Sequence, residues 1–127
     1  MSEPLLLFVY GQLRRGEIGY ERLGLAERTA WLGPARVKGA LYDLGDYPGL
    51  VIGGDGIVHG ELLAFDDPAL WAVLDDYEDC DPARPEISEY RRVECELIGD
   101  PRRVWTYDYA RPVENRPPIM DGIWRAP

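Results

Sequence analysis

The chain has 127 residues, a length that suits one domain with a core that needs neither metal nor disulfides. Its 14 Lys and Arg against 23 Asp and Glu give a formal net charge of -9, which excludes nucleic acid and anionic membrane surfaces as partners. An acidic small molecule stays possible, because a local Arg or a set of backbone amides can hold one carboxylate. Two cysteines, Cys80 and Cys95, are too few for a disulfide framework and show no metal-ligand spacing.

Residues 5–10, LLLFVY, form a continuous apolar run that ends at Gly11, the pattern of a fully buried strand. The run is far too short for a signal-peptide core or a membrane helix, and no basic segment precedes it, so the expected location is cytoplasmic. Residues 11–16 are bracketed by glycines and read as a loop. Residues 17–27 read as a short helix with Tyr20, Leu23 and Leu25 turned inward, interrupted by Gly19 and Gly24. Residues 30–42 read as extended structure broken at Gly33-Pro34 and Gly39, and residues 43–49 as turns. Residues 50–52 and 58–65 read as two strands. Gly53, Gly54, Asp55 and Gly56 then make a tight hairpin turn, and Gly60 marks a bulge or a close backbone approach.

The clearest helix starts at Asp67, an N-cap, and Pro68, a first helical residue; Leu70, Val73, Leu74 and Tyr77 give it one apolar face. Residues 79–88 are a Pro-rich acidic loop. Residues 89–98 and 104–110 alternate as half-buried strands. The tail, residues 112–127, has three further prolines after Pro112 and reads as irregular. No repeat or linker divides the chain. The expectation is one domain over 1–127, of α+β class, with a small, strongly curved, barrel-like sheet, one main helix and short flanking helices.

Two places carry candidate chemistry. The first is the strand-to-loop junction Tyr10-Gly11-Gln12-Leu13-Arg14. Glycine right after a buried strand lets the backbone approach a ligand, and successive free N–H groups can hold a carboxylate or a developing oxyanion; the same residues also fit a plain turn. The second is Glu78, which shares the apolar helical face, lies near the helix C-terminus, and is crowded by Asp75, Asp76, Asp79 and Asp81. Burial, dipole and neighbours would raise its pKa and suit it to general base and acid work; a solvated acidic helix end is the other reading. Tyr90, Arg91 and Arg92 open a strand, where they are either edge residues or a carboxylate clamp. His59, the single histidine, has no second imidazole near it in sequence, and no nucleotide-binding glycine motif is present.

Taken in order, five segments resemble the gamma-glutamylcyclotransferase-like family, which includes the avirulence-induced-gene-like small proteins. They are FVYGQLR at 8–14; LYD at 41–43 with YPGL at 47–50; GEL at 60–62; LDDYE at 74–78; and YRRV at 90–93 with WTY at 105–107. The resemblance covers about residues 7–109. It implies a mixed barrel with flanking helices and cleavage of a small-molecule gamma-glutamyl amide with release of 5-oxoproline. It implies that Glu78 is catalytic and that Tyr10, Gly11, Gln12 and Leu13 bind substrate. Residue 12 is Gln where the family commonly has Ser or Thr, a change that bears on pocket width but not on the backbone amide. Arg14 and Arg92, with Tyr90 beside the latter, are the side chains available for the substrate α-carboxylate. The chemistry asks for no cofactor or metal, and oligomeric state is not legible. The alternative is a non-catalytic protein that binds a small metabolite in the same pocket.

Overall fold

In the computed structural model, which describes residues 3–127, the N-terminal apolar run becomes β1, Leu5–Val9. Leu6 and Phe8 face one apolar cluster, Leu7 and Val9 another. Both faces are covered, so the run carries no polar alternation. β1 pairs antiparallel with β3, Pro48–Phe65, which pairs antiparallel with β2, Ala30–Asp43. β4, Tyr90–Leu97, meets β2 at Val37 and Leu97 and pairs antiparallel with β5, Asp100–Tyr109. β5 returns to β1 in parallel at Leu7 and Trp105, closing a barrel in the order β1-β3-β2-β4-β5. The buried Thr106 hydroxyl also ties this seam, donating to the Phe8 carbonyl at 3.0 Å.

The α+β class and curved sheet are as expected, and the layers follow from it. The inner cluster draws on all five strands and holds Phe8, Leu41, Leu50, Val58 and Val104. The outer cluster lies under three helices: α1 (Ile18–Arg22), α2 (Leu25–Arg28) and α3 (Leu70–Tyr77). The single short helix expected over 17–27 is thus two helices. Gly24 divides them at a φ of 62°, a left-handed conformation that glycine adopts without strain.

The expected hairpin at residues 53–56 is a different feature. Ile52 pairs with Gly39 and Ile57 with Lys38, so β3 runs past β2 in one direction and the four residues loop out as a bulge. The glycine-rich pattern of a hairpin turn and of a bulge is the same, and only the partner strand distinguishes them. Gly33-Pro34 and Gly39 do not end β2, but its pairing with β3 shifts register between Trp31 and Gly33 and between Lys38 and Gly39, the places where breaks were expected. A Cβ at Gly39 would stand 2.7 Å from the Val51 carbonyl, so the residue permits close pairing instead. Gly60 is a close approach, as expected: a Cβ there would collide with the Val9 carbonyl and the Phe8 ring.

α3 starts two residues later than its sequence signals, after a first turn in which the Asp67 carboxylate accepts the Ala69 N–H at 2.9 Å. Its end is sharply defined. Asp79 has φ 52°, the Cys80 N–H donates to the Asp75 carbonyl (2.9 Å), and the Asp79 N–H to the Asp76 carbonyl (3.3 Å). These two bonds form a Schellman motif with Asp in the position usually held by Gly, and Glu78 is the C-cap residue. The tail after Tyr109 has no helix or strand of its own, yet it is docked. Asp43 donates its N–H to the Pro117 carbonyl, Ile119 to Leu41, and His59 to Gly122. Trp124 is 3% exposed within the inner cluster.

Candidate active site

A cavity of about 280 Å³ opens where β1 runs out into the loop at residues 11–13. Closing the barrel places that loop beside the end of α3. Tyr10, Gly11, Gln12, Leu13, Glu78 and Tyr90 all line the cavity. Six of the residues singled out in the sequence therefore meet in one place.

The loop is shaped for a backbone site. A Cβ on Gly11 would stand 2.8 Å from the Pro48 ring, so only glycine fits at this turn. The Gly11 carbonyl accepts the Arg14 N–H at 3.1 Å and the Gln12 carbonyl accepts the Tyr20 N–H at 3.0 Å. The N–H groups of Gly11, Gln12 and Leu13 have no acceptor among the described residues. A run of unpaired amides beside a cavity has the donors that a carboxylate or an oxyanion needs. The Gln12 side chain is occupied otherwise: its Oε1 accepts the Tyr77 hydroxyl at 2.6 Å and its Nε2 donates to the Asp46 carbonyl at 3.2 Å. It braces the end of α3 against the turn before β3.

Glu78 keeps some solvent access, but its carboxyl sits deep among heavy atoms, and among the described residues nothing donates a hydrogen bond to it. Burial pushes its pKa up to about 8, with the Glu89 carboxylate adding to the effect. The surrounding tyrosines are fixed donors. Tyr10 donates to the Tyr107 carbonyl (2.6 Å) and Tyr90 to the Pro48 carbonyl (2.6 Å), while Tyr107 donates to Asp75 (2.7 Å). Burial raises the pKa of all three, so they stay neutral and add no charge to the site.

Arg14 and Arg92 do not reach the cavity. Arg14 donates to the carbonyls of Gly11 (3.1 Å) and Trp124 (2.7 Å), tying the loop to the tail. Arg92 grips both Asp75 oxygens (3.1 and 3.0 Å) and lies over the Trp71 ring at 4.3 Å. It supports the wall from behind, through Asp75 and Tyr107. Two residues that the sequence did not single out as site residues, Glu89 and Tyr47 of the YPGL segment, also line the cavity and join through a 2.7 Å bond from the Tyr47 hydroxyl to Glu89 Oε2. Glu89 stands directly before Tyr90, the first residue of β4, and an acidic residue next to that Tyr was the available signal. Among the described residues no group of three His, Cys, Asp or Glu side chains is placed to hold a metal ion.

Residues 7–126 match the family model "Gamma-glutamyl cyclotransferase, AIG2-like". The chain is 33% identical over 126 residues to the Escherichia coli gamma-glutamylcyclotransferase family protein YtfP, covering 93% of this chain and 94% of that one. It is 32% identical over 108 residues to a Niallia circulans protein named gamma-L-glutamyl-butirosin B gamma-glutamyl cyclotransferase, covering 83% of this chain and 67% of the relative. In fold it is similar to the crystal structure of a Mus musculus AIG2-like protein: TM-score 0.76, 23% identity, 98% of this chain and 90% of the other. The chain belongs to the gamma-glutamyl cyclotransferase, AIG2-like family.

Proposed function

We propose that this protein cleaves a small gamma-glutamyl amide by attack of the substrate's own α-amine on its side-chain carbonyl, releasing 5-oxoproline and an amine. The observation that carries the reading is a single cavity shared by a carboxyl raised to about 8 and three unpaired backbone amides. Family membership supports the reaction class, as does the name of the Niallia circulans relative.

The steps follow from the groups present. A gamma-glutamyl chain bent in the cavity brings its amine to its carbonyl carbon and turns a bimolecular attack into an intramolecular one. Glu78, ionised, takes a proton from the α-ammonium. The amine then forms the new C–N bond, and the amides of residues 11–13 steady the oxygen as it becomes negative. Glu78 returns that proton to the leaving nitrogen as the old C–N bond breaks; its regenerated carboxylate then takes the second proton from the new ring nitrogen, which is cationic after the attack and becomes the neutral lactam N–H, and passes it to the departing amine, so one carboxyl serves as base and as acid. A pKa near working pH suits both halves of that task.

The reading is tested by 5-oxoproline release from a panel of gamma-glutamyl amino acids, gamma-glutamyl-ε-lysine and glutathione. The expected outcome is release from at least one member, falling by about 10²–10⁴ in Glu78→Gln, the range for loss of a general acid/base. No release from any member by folded protein would favour metabolite binding without turnover.

A further inference from the structure

The cavity contains a second carboxylate that the chemical step does not use. On the reading above, that the cavity cyclises gamma-glutamyl amides, we propose that Glu89, held by Tyr47, selects substrates whose leaving amine carries a positive charge of its own.

The charge inventory leads there. The cavity is lined by two carboxylates, Glu78 and Glu89, and by no Lys, Arg or His. Glu78 handles the proton of the reacting nitrogen, and the amides of residues 11–13 serve the substrate's negative groups. Glu89 is left facing whatever is attached to the gamma-carbonyl. Beside it, Arg111, whose charge reaches Tyr47, is paired with Asp79 at 3.7 Å.

The Glu89 carboxylate is not needed to position its own segment. The backbone does that: the Glu89 N–H donates to the Asp79 carbonyl (2.9 Å) and the Glu89 carbonyl accepts the Ala110 N–H (2.8 Å). Tyr47 engages Oε2 alone, fixing the carboxylate's orientation and leaving Oε1 without a partner among the described residues. Glu89 and Tyr47 are half-buried, as Glu78 is, whereas Tyr10, Tyr90 and Tyr107 are buried, so the Glu89 carboxylate lies toward the open side of the cavity. The rings of Tyr47 and Tyr90, with centroids 6.4 Å apart and planes inclined at 53°, offer π-faces that attract an ammonium further. An anionic leaving group would meet repulsion at the same place.

The test uses three gamma-glutamyl amides of similar length, made from 1,4-diaminobutane (cationic), butylamine (neutral) and 4-aminobutyrate (anionic). Their kcat/KM for 5-oxoproline release is compared in wild type, Glu89→Gln and Glu89→Asp. Wild type should prefer the cationic over the neutral amide by roughly tenfold, the size of a charge-assisted hydrogen bond in a half-buried site. The anionic amide should be slowest. Glu89→Gln should bring the cationic-to-neutral ratio close to one, and Glu89→Asp should restore most of it. The ratio cancels the influence of the Glu89 charge on Glu78, which both substrates share. An unchanged ratio in Glu89→Gln, or equal rates for all three amides in wild type, would overturn the assignment. If none of the three amides turns over, Glu89 is judged by calorimetric Kd for the same amides; the cyclase reading itself fails only if the earlier panel also gives no release. A cationic preference that disappears in Glu89→Gln then supports the Glu89 assignment, and equal affinities contradict it.

Discussion

At the scale of one residue, the role proposed for Glu78 and the stability of the fold oppose each other. Its carboxyl titrates near 8 in the fold, against an ordinary value of 4.5. Between those values the folded chain holds a proton that the unfolded chain has released. The stability tied to the neutral form is therefore complete below 4.5 and is lost as pH rises through about 8. Glu78→Gln should leave the melting temperature almost unchanged near the ordinary carboxyl pKa. At about pH 9 it should stabilise the protein by on the order of 2 kcal/mol, a figure reduced for the water that reaches the carboxyl. Thermal unfolding of both proteins at the two pH values checks this; equal stability at the alkaline pH would mean that Glu78 is an ordinary solvated acid. The sequence made Glu78 visible because helical spacing put it on the apolar face near the C-terminus of α3. It did not join Glu89 to Tyr47, because 42 residues separate them and neither has a periodicity that points to the other.

At the scale of elements, the ends of strands and helices do the positioning. Asp79 takes the left-handed position of the Schellman motif at φ 52°, where an L side chain is strained. Asp79→Gly should stabilise α3 by about 0.5–1 kcal/mol and leave Glu78 in place, read as a raised denaturation midpoint with unchanged turnover. Gly11→Ala should do the reverse, since its Cβ would stand 2.8 Å from the Pro48 ring. The loop must shift, at about 1–3 kcal/mol, and the displaced amides should raise KM more than the unfolding data alone explain. Asp75→Asn would leave the half-buried Arg92 guanidinium without its carboxylate, at a cost of about 3–5 kcal/mol in an unfolding titration. β1, α3, β4 and β5 were legible because burial on two faces, helical spacing and alternation are local patterns. β2 and β3 were not: their glycines read as breaks, and only pairing over their whole length shows that Gly39 and the loop at 53–56 let two long strands fit together.

Over the whole molecule, the tail closes one region of the barrel. Residues 112–127 are irregular, as their prolines indicate, but Trp124 is part of the core and its carbonyl holds Arg14 of the site loop. Trp124→Ala should cost about 3–5 kcal/mol in chemical denaturation; a cost under ~1 kcal/mol would show the tail to be only loosely attached. The sequence did not reveal this docking, since the Pro-rich segment that carries Ile119, Met120, Ile123 and Trp124 forms no helix or strand whose partner could be read. Barrel closure also brings the amides of residues 11–13 to Glu78, with the Tyr77–Gln12 bond spanning 65 residues of chain. The pH dependence of kcat/KM for 5-oxoproline release reports on that meeting. The rate should rise with pH to a plateau with a midpoint near 8, where Glu78 ionises, and should be lost in Glu78→Gln. A midpoint in the ordinary carboxyl range, or a Gln variant that keeps the wild-type rate, would contradict the account.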